Sequence, residues 1–339
     1  MGEPVHQEQS RDGVELIQLA LDWIDAGHKV SLATVVSTWG SSPRPAGSQL
    51  LIREDNLFEG SVSGGCIEGE VVTEALATIR NDSFKLLDFG VADEDAWQVG
   101  LACGGRVQVF VQNISDELRS VLVDLKTAHS SKSAVALLIN LETGGANLHK
   151  RGDQTSRELN HYFVNDQSGI SSIEANDRIF VRIFNPPLRL FIVGAVHIAQ
   201  ILAKVATESG YEAVVIDPRD TWGEQDRFTG VTVDRDWPST ALEKYSPDSR
   251  TAVVTLCHDP KLDDPALLVA LRSDAFYIGS LGSRKTHANR LERLKAQGIS
   301  DEDLARIKAP VGLDIGARTP AEIALSIMAE MIQALRKFA

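Results

Sequence analysis

The stretch that follows Asn185-Pro186-Pro187 limits the possible folds most tightly. Apolar runs at 190–193, 213–216, 231–233, 252–256 and 276–278 alternate with segments of helical pattern. A strand that is apolar on both faces needs helices over each face, so the alternation predicts a Rossmann-like, doubly wound parallel sheet. The proline pair breaks any regular element, because each ring fixes φ and removes an N–H. It marks a boundary between residues 1–185 and 186–339, and a chain of 339 residues suits two domains.

Ahead of that boundary the pattern is less regular. Residues 12–26 place Val14, Ile17, Leu21 and Ile24 on one helical face, with Gly27 as the stop. Runs at 29–36, 48–53, 84–89, 106–111 and 134–139 read as strands, and 67–80 and 115–128 as helices. The mixture predicts an N-terminal α/β domain on a mixed sheet. Residues 38–47 read as a loop, with a further turn near Asp55-Asn56. The polar stretch 142–169 has weak periodicity and reads as hairpins that lead to a strand at 178–184. Near the end, Thr319-Pro320-Ala321-Glu322 combines a capping box with proline at the first helical position.

The chemistry concentrates in Ser61-Val62-Ser63-Gly64-Gly65-Cys66-Ile67-Glu68. Cys66 falls at or just before a helix N-terminus, where free N–H groups and the positive dipole end favour a thiolate. Glycines without Cβ let backbone amides approach a ligand. Cys103-Gly104-Gly105 mirrors the pattern. The three cysteines, Cys66, Cys103 and Cys257, are odd in number and widely spaced, which fits a reducing compartment and no disulfide framework. No C-x-x-C pair supports structural zinc. Redox exchange, contact with a soft metal or sulfur-bearing cofactor, and burial as small apolar residues remain the readings of these thiols. Arg44 stands between Pro43 and Pro45, which hold its guanidinium in a direction suited to phosphate or carboxylate.

The second domain opens with Gly194-Ala195-Val196-His197-Ile198-Ala199, and Asp217 ends the next strand at the distance of a ribose-binding acid. Val196 replaces the glycine that would let the backbone reach a pyrophosphate, so bound NAD is not expected. Cys257-His258-Asp259-Pro260 and Gly279-Ser280-Leu281-Gly282-Ser283-Arg284-Lys285 both follow strands, at the edge where ligands of such sheets sit. The second loop suits a phosphate or a pterin through amides, hydroxyls and charge. His258 and Asp259 would orient a ligand or cap the next helix. A net charge of −13 disfavours nucleic acid or an anionic membrane as partner. The absence of a signal-peptide pattern and of a long apolar run fits a cytoplasmic protein.

Taken jointly, these motifs resemble the xanthine dehydrogenase accessory protein family, the XdhC/CoxI proteins. In the first domain the resemblance rests on Gly40-Ser41-Ser42-Pro43-Arg44, Gly64-Gly65-Cys66-Ile67-Glu68 and Cys103-Gly104-Gly105. In the second it rests on Asp217-Pro218-Arg219, Gly282-Ser283-Arg284-Lys285, Ala309-Pro310-Val311-Gly312-Leu313-Asp314-Ile315-Gly316 and the Thr319 helix start. It implies an accessory factor that binds molybdenum cofactor, as molybdopterin or its dinucleotide form, protects it during sulfuration and delivers it to a molybdenum hydroxylase. A cysteine desulfurase and a homodimeric state are implied with it. The cofactor-binding residues would be Cys66, Cys103, Gly64, Gly65, Glu68, Gly104, Gly105, Arg44, His258, Asp259, Ser283, Arg284 and Lys285, with Cys103 and Cys66 as soft-metal contacts. The sequence departs from the family pattern at Val196 and at Cys257, where glycine and threonine are usual. An NAD(P)-dependent oxidoreductase and a pure docking adaptor are the alternatives.

Overall fold

The computed structural model describes residues 13–40, 44–90, 105–152, 154–171, 178–219 and 227–337. The chain forms two compact units that meet in sequence at Pro186 and Pro187.

The first unit runs α1 (Val14–Asp25), β1 (Val30–Trp39), β2 (Gln49–Arg53), β3 (Phe58–Gly60), α2 (Glu68–Asn81), β4 (Phe84–Phe89), β5 (Arg106–Asn113), α3 (Asp116–Ser130), β6 (Val135–Asn140), β7 (Ala146–Lys150), α4 (Arg157–Asn165), β8 (Gly169–Ser171) and β9 (Ile179–Phe184). Its sheets have the orders β3-β2-β1-β5-β4 and β7-β6-β9-β8, with antiparallel pairing throughout the described residues. Strand alternation divides the core. Ala33, Val35, Leu50 and Val109 pack beneath Ile67, Val71 and Ala75 of the α2 region. On the opposite face, α1 and α3 pack Leu16, Ile17, Leu118 and Leu122 between Leu32, Leu51 and Phe110 of the first sheet and Leu137 and Phe180 of the second. Helix α4 closes the far side, where Leu159 and Phe163 meet Ala136, Val181 and Ile183.

Several local expectations change here. Thr38 and Trp39 belong to β1 and not to the following loop, because pairing with β5 carries the strand past a bulge between Val35 and Ser37. The stretch 142–169 holds helix α4 as well as strands, started by Ser156, whose Oγ accepts from Leu159 N at 3.1 Å. Nine residues with so few apolar positions give a weak helical period.

The second unit runs β10 (Leu188–Val193), α5 (His197–Glu208), β11 (Tyr211–Ile216), β12 (Thr232–Asp234), α6 (Pro238–Tyr245), β13 (Thr251–Thr255), α7 (Pro260–Leu271), β14 (Tyr277–Ser280), α8 (Arg284–Ala296), α9 (Asp301–Leu304), β15 (Ile307–Lys308) and α10 (Pro320–Lys337). The sheet has the order β12-β11-β10-β13-β14-β15, and every pair is parallel. The order reverses between β10 and β13, as in doubly wound nucleotide-binding sheets. Leu202, Ala203, Ile327 and Met331 of α5 and α10 cover one face, and Leu242 and Leu267 of α6 and α7 cover the other. Gly279 and Ser280 lie buried at the end of β14, so the loop expected to start at Gly279 begins at Leu281.

The capping box forms as expected. Glu322 Oε2 accepts from Arg318 N at 2.7 Å and Thr319 N at 2.9 Å, while Thr319 Oγ1 accepts from Glu322 N at 3.3 Å. Thr319→Ala is expected to cost about 1 kcal/mol, measured as a lower urea midpoint with an unchanged slope. No helix among the described residues is long and apolar enough to cross a membrane.

Candidate functional site

The segment between β3 and α2 folds around a carboxylate of its own. Glu68 Oε1 accepts from Ser61 Oγ (2.8 Å), Ser63 N (2.9 Å), Gly64 N (3.1 Å) and Val62 N (3.2 Å). Its Oε2 accepts from Gly65 N (2.8 Å) and from the Ser63 hydroxyl. Ser63, only 1% exposed, then accepts from Cys66 N at 3.0 Å and Ile67 N at 3.1 Å. Gly64 and Gly65 adopt φ of 78° and 116°, left-handed values that turn their amides inward. A Cβ at Gly65 would meet nothing within 4 Å, so backbone conformation and not space demands glycine there. Burial pushes the Glu68 carboxyl up, but the hydrogen bonds from Ser63, Ser61 and the loop amides outweigh it and bring the pKa down to about 2.

The loop directs these donors to its own carboxylate. The amides of Gly64 and Gly65, expected to face a ligand, face Glu68. Glu68 itself, expected to touch the cofactor, turns into the loop. The positive end of α2 meets this carboxylate before it meets any outside anion. What the loop shows to solvent is the Cys66 thiol, which is free and exposed.

Register places the other first-unit motifs at the same end of the first sheet. Trp39 pairs with Arg106, Phe89 with Val107, and Leu50 with Gly60. The segment after Trp39, the segment after Gly60 and the strands that flank residues 91–104 therefore all reach this end. Arg44 is half-buried in the first of these segments, and Gly105 is buried at the entrance to β5. Asp88 ties the flanking strands together: it accepts from Arg106 Nε and Nη2 at 2.8 and 2.6 Å and from Gln108 Nε2 at 2.8 Å. Cys103 and Gly104 lie outside the described residues, as do Ser41, Ser42 and Pro43.

In the second unit the switch point is already furnished from within. Asp217 is fully buried. Its Oδ2 accepts from Ala195 N (2.8 Å) and Arg219 Nη2 (2.7 Å), and its Oδ1 from Arg219 N (3.0 Å) and Arg219 Nε (2.9 Å). Burial opposes its ionisation, but the Arg219 guanidinium wins and holds the carboxyl below its usual range. Gly194 sits at φ 110°, and a Cβ there would lie 2.6 Å from Cys257 Sγ, so close packing of β10 on β13 requires glycine. Burial, and then the nearby Asp263, push the Cys257 thiol far up, which makes it a poor thiolate. Asp259 caps α7 by accepting from Lys261 N at 2.9 Å, which realises the capping alternative, and His258 beside it is exposed with φ 58°. Ser283 caps α8 by accepting from Thr286 N at 3.2 Å, leaving Arg284 and Lys285 exposed in the first turn.

Sequence reasoning missed the charges beneath these loops. Asp263 (1% exposed) accepts from Cys257 N at 3.3 Å, and Arg290 (2% exposed) donates from Nη2 to Leu281 O at 2.9 Å. Their spacing within helices gave no signal of partnership. Among the described residues, no group of three or more His, Cys, Asp or Glu side chains is placed to hold a metal ion.

Residues 190–331 match the family described as the XdhC Rossmann domain, and residues 23–90 match the XdhC and CoxI family. The chain belongs to the XdhC/CoxI family. It is 29% identical over 319 residues to the molybdenum cofactor insertion chaperone PaoD of Escherichia coli K12, covering 93% of this chain and 86% of that protein. It is 27% identical to a probable xanthine dehydrogenase subunit of Bacillus subtilis 168, covering 91% and 94% of the two. A crystal structure described as a xanthine dehydrogenase from Bacillus halodurans aligns with a TM-score of 0.74 at 26% identity over 97% of both chains. The XdhC/CoxI matches include Arg44, the Cys66 loop and the switch-point loops, whereas Cys103 falls between them.

Proposed function

We propose that this XdhC/CoxI protein is a molybdenum cofactor chaperone, which holds the cofactor and inserts it into a molybdenum hydroxylase of the xanthine dehydrogenase type. The observation that carries the proposal is the exposed Cys66 thiol on a pinned loop, at the sheet end reached also by the Arg44 segment and by the strands flanking Cys103. The donor set fits such a cargo. A thiol is a soft ligand, and Arg284 and Lys285 at the N-terminus of α8 suit a phosphate. When bound, the cofactor would supply a soft molybdenum–sulfur centre and an anionic phosphate. In the first unit Cys66 and Cys103 would hold it by sulfur and Arg44 by charge.

The name of the E. coli relative supports the chaperone role, and the name of the B. subtilis relative supports the type of client. On this reading the protein is an accessory factor and not a catalyst, works in the cytoplasm as a homodimer, and meets a cysteine desulfurase during sulfuration. An NAD(P)-dependent oxidoreductase is less favoured. Val196 stands where pyrophosphate needs a glycine, and Asp217, the expected ribose partner, is engaged by Ala195 N and Arg219.

Anaerobic incubation with molybdenum cofactor followed by desalting is the test. Bound pterin is expected to stay with the protein, and Cys66→Ala and Cys103→Ala are each expected to reduce it. Retention no better than that of an unrelated protein would overturn the proposal. Unchanged retention in both variants would remove the thiols from it. Millimolar NAD is expected to give no thermal shift.

A further inference from the structure

Cys66 follows two glycines with positive φ, a backbone with unusual freedom when nothing restrains it. A thiol carried on such a segment would lose much of its binding free energy to ordering the loop. The structure removes that freedom with one side chain. The carboxylate of Glu68 gathers the amides of Val62, Ser63, Gly64 and Gly65 and the hydroxyls of Ser61 and Ser63. A relay of two hydrogen bonds then reaches the cysteine backbone: Cys66 N donates to Ser63 Oγ, and the Ser63 hydroxyl donates to Glu68 Oε2. Ile67 N joins the same hydroxyl at 3.1 Å, which fixes the entry into α2.

We infer that Glu68 is the positioning residue of the Cys66 site: through Ser63 and the loop amides it holds the thiol in the orientation that grips the cargo, without touching the cargo itself. This rests on the reading of Cys66 as a cofactor ligand. The role demands two acceptor oxygens. Glutamine is nearly isosteric, but it offers one oxygen and turns an NH2 group toward donors that need an acceptor. Aspartate keeps both oxygens and the charge on a shorter arm.

The test is a double-mutant cycle on retention of molybdenum cofactor, measured anaerobically as a dissociation constant. Outer-shell partners of metal ligands are typically worth about 10–100-fold in affinity, and Glu68→Gln is expected to weaken retention within that range. Glu68→Asp is expected to restore part of it. In a Cys66→Ala background, Glu68→Gln is expected to add nothing, because its effect passes through the thiol. Hydrogen exchange at the Gly64 and Gly65 amides is expected to speed up in Glu68→Gln. Should that variant unfold, Ser63→Ala keeps the carboxylate, cuts the relay to Cys66 N, and is expected to give the same loss.

Wild-type affinity in Glu68→Gln, or an equal loss in the presence and absence of Cys66, overturns the positioning role while leaving Cys66 as a ligand. Unchanged affinity in Cys66→Ala overturns the ligand reading and the positioning role together.

Discussion

Replacing Glu68 by alanine is expected to destabilise the first unit by about 3 kcal/mol at pH 7 and to remove a step from its pH dependence. Hydrogen bonds to a charged group contribute about 1.5–3 kcal/mol each when their loss leaves a buried partner unmet. Gly64 and Gly65 are exposed and water replaces the carboxylate there, so the loss concentrates at buried Val62 and Ser63. The sign with pH follows from the depressed pKa of about 2 against 4.5 for an unperturbed glutamate. A depressed acid contributes stability that is complete above the unfolded value and is lost as pH falls through the folded one. The window is therefore pH 4.5 down to 2, with an amplitude of about 2 kcal/mol once solvent screening is allowed for. Urea unfolding followed by hydrogen exchange of the α2 amides would show wild type and variant converging as pH falls from 7 to 3. A constant gap over that range would mean that the ionised carboxylate is not what holds the loop.

That loop also shows how far sequence reading reaches. Its residue types were legible, and so was the position of Cys66 just ahead of a helix. Which anion would meet the amides was not, because a glutamate inside the following helix turn gives no sign that its side chain folds back. The parallel sheet of the second unit was legible because its strands β10, β11, β13 and β14 are largely buried apolar runs, with α5 between the first two and α7 between the last two. Strands β3 and β15, of three and two residues, were not, since both are too short to carry a pattern of their own; β3 exists through its hairpin with β2, and β15 through β14, some thirty residues earlier. Asp217 was placed correctly at the end of its strand, but its engagement by Arg219 depends on a turn that the motif does not encode. The general rule in these cases is that patterning reports burial, whereas the partner of a charge is decided by tertiary contact.

Asp263 and Arg290 are buried charges in the second unit that act on one another through their fields and not through a direct hydrogen bond, and Arg290→Met, which leaves the Leu281 carbonyl without its donor, is expected to cost about 1–3 kcal/mol at neutral pH. Arg290 Nη2 holds the carbonyl of Leu281, and Asp263 Oδ1 holds the amide of Cys257. Each residue thus supports one of the two loops, Arg290 the one that carries Ser283-Arg284-Lys285 and Asp263 the one that carries His258-Asp259. Burial raises the Asp263 carboxyl to about 6, with the Arg290 charge acting against it. A raised acid stabilises the fold most below its unfolded value of 3.8, and that contribution is lost as pH rises toward 6. At neutral pH the carboxylate is ionised and depends on Arg290. With methionine at 290 it becomes an uncompensated buried charge, and its pKa is expected to rise further. The destabilisation by Arg290→Met is accordingly expected to shrink at pH 4, where the carboxyl is largely protonated. Asp263→Asn added to Arg290→Met is expected to recover most of the neutral-pH loss, because the double variant buries no charge at these positions. Urea midpoints of wild type, Arg290→Met and the double variant at pH 4 and pH 7.5 measure both effects. Equal losses in the single and double variants at both pH values would assign the role of Arg290 to packing and to the Leu281 carbonyl, with no electrostatic dependence on Asp263.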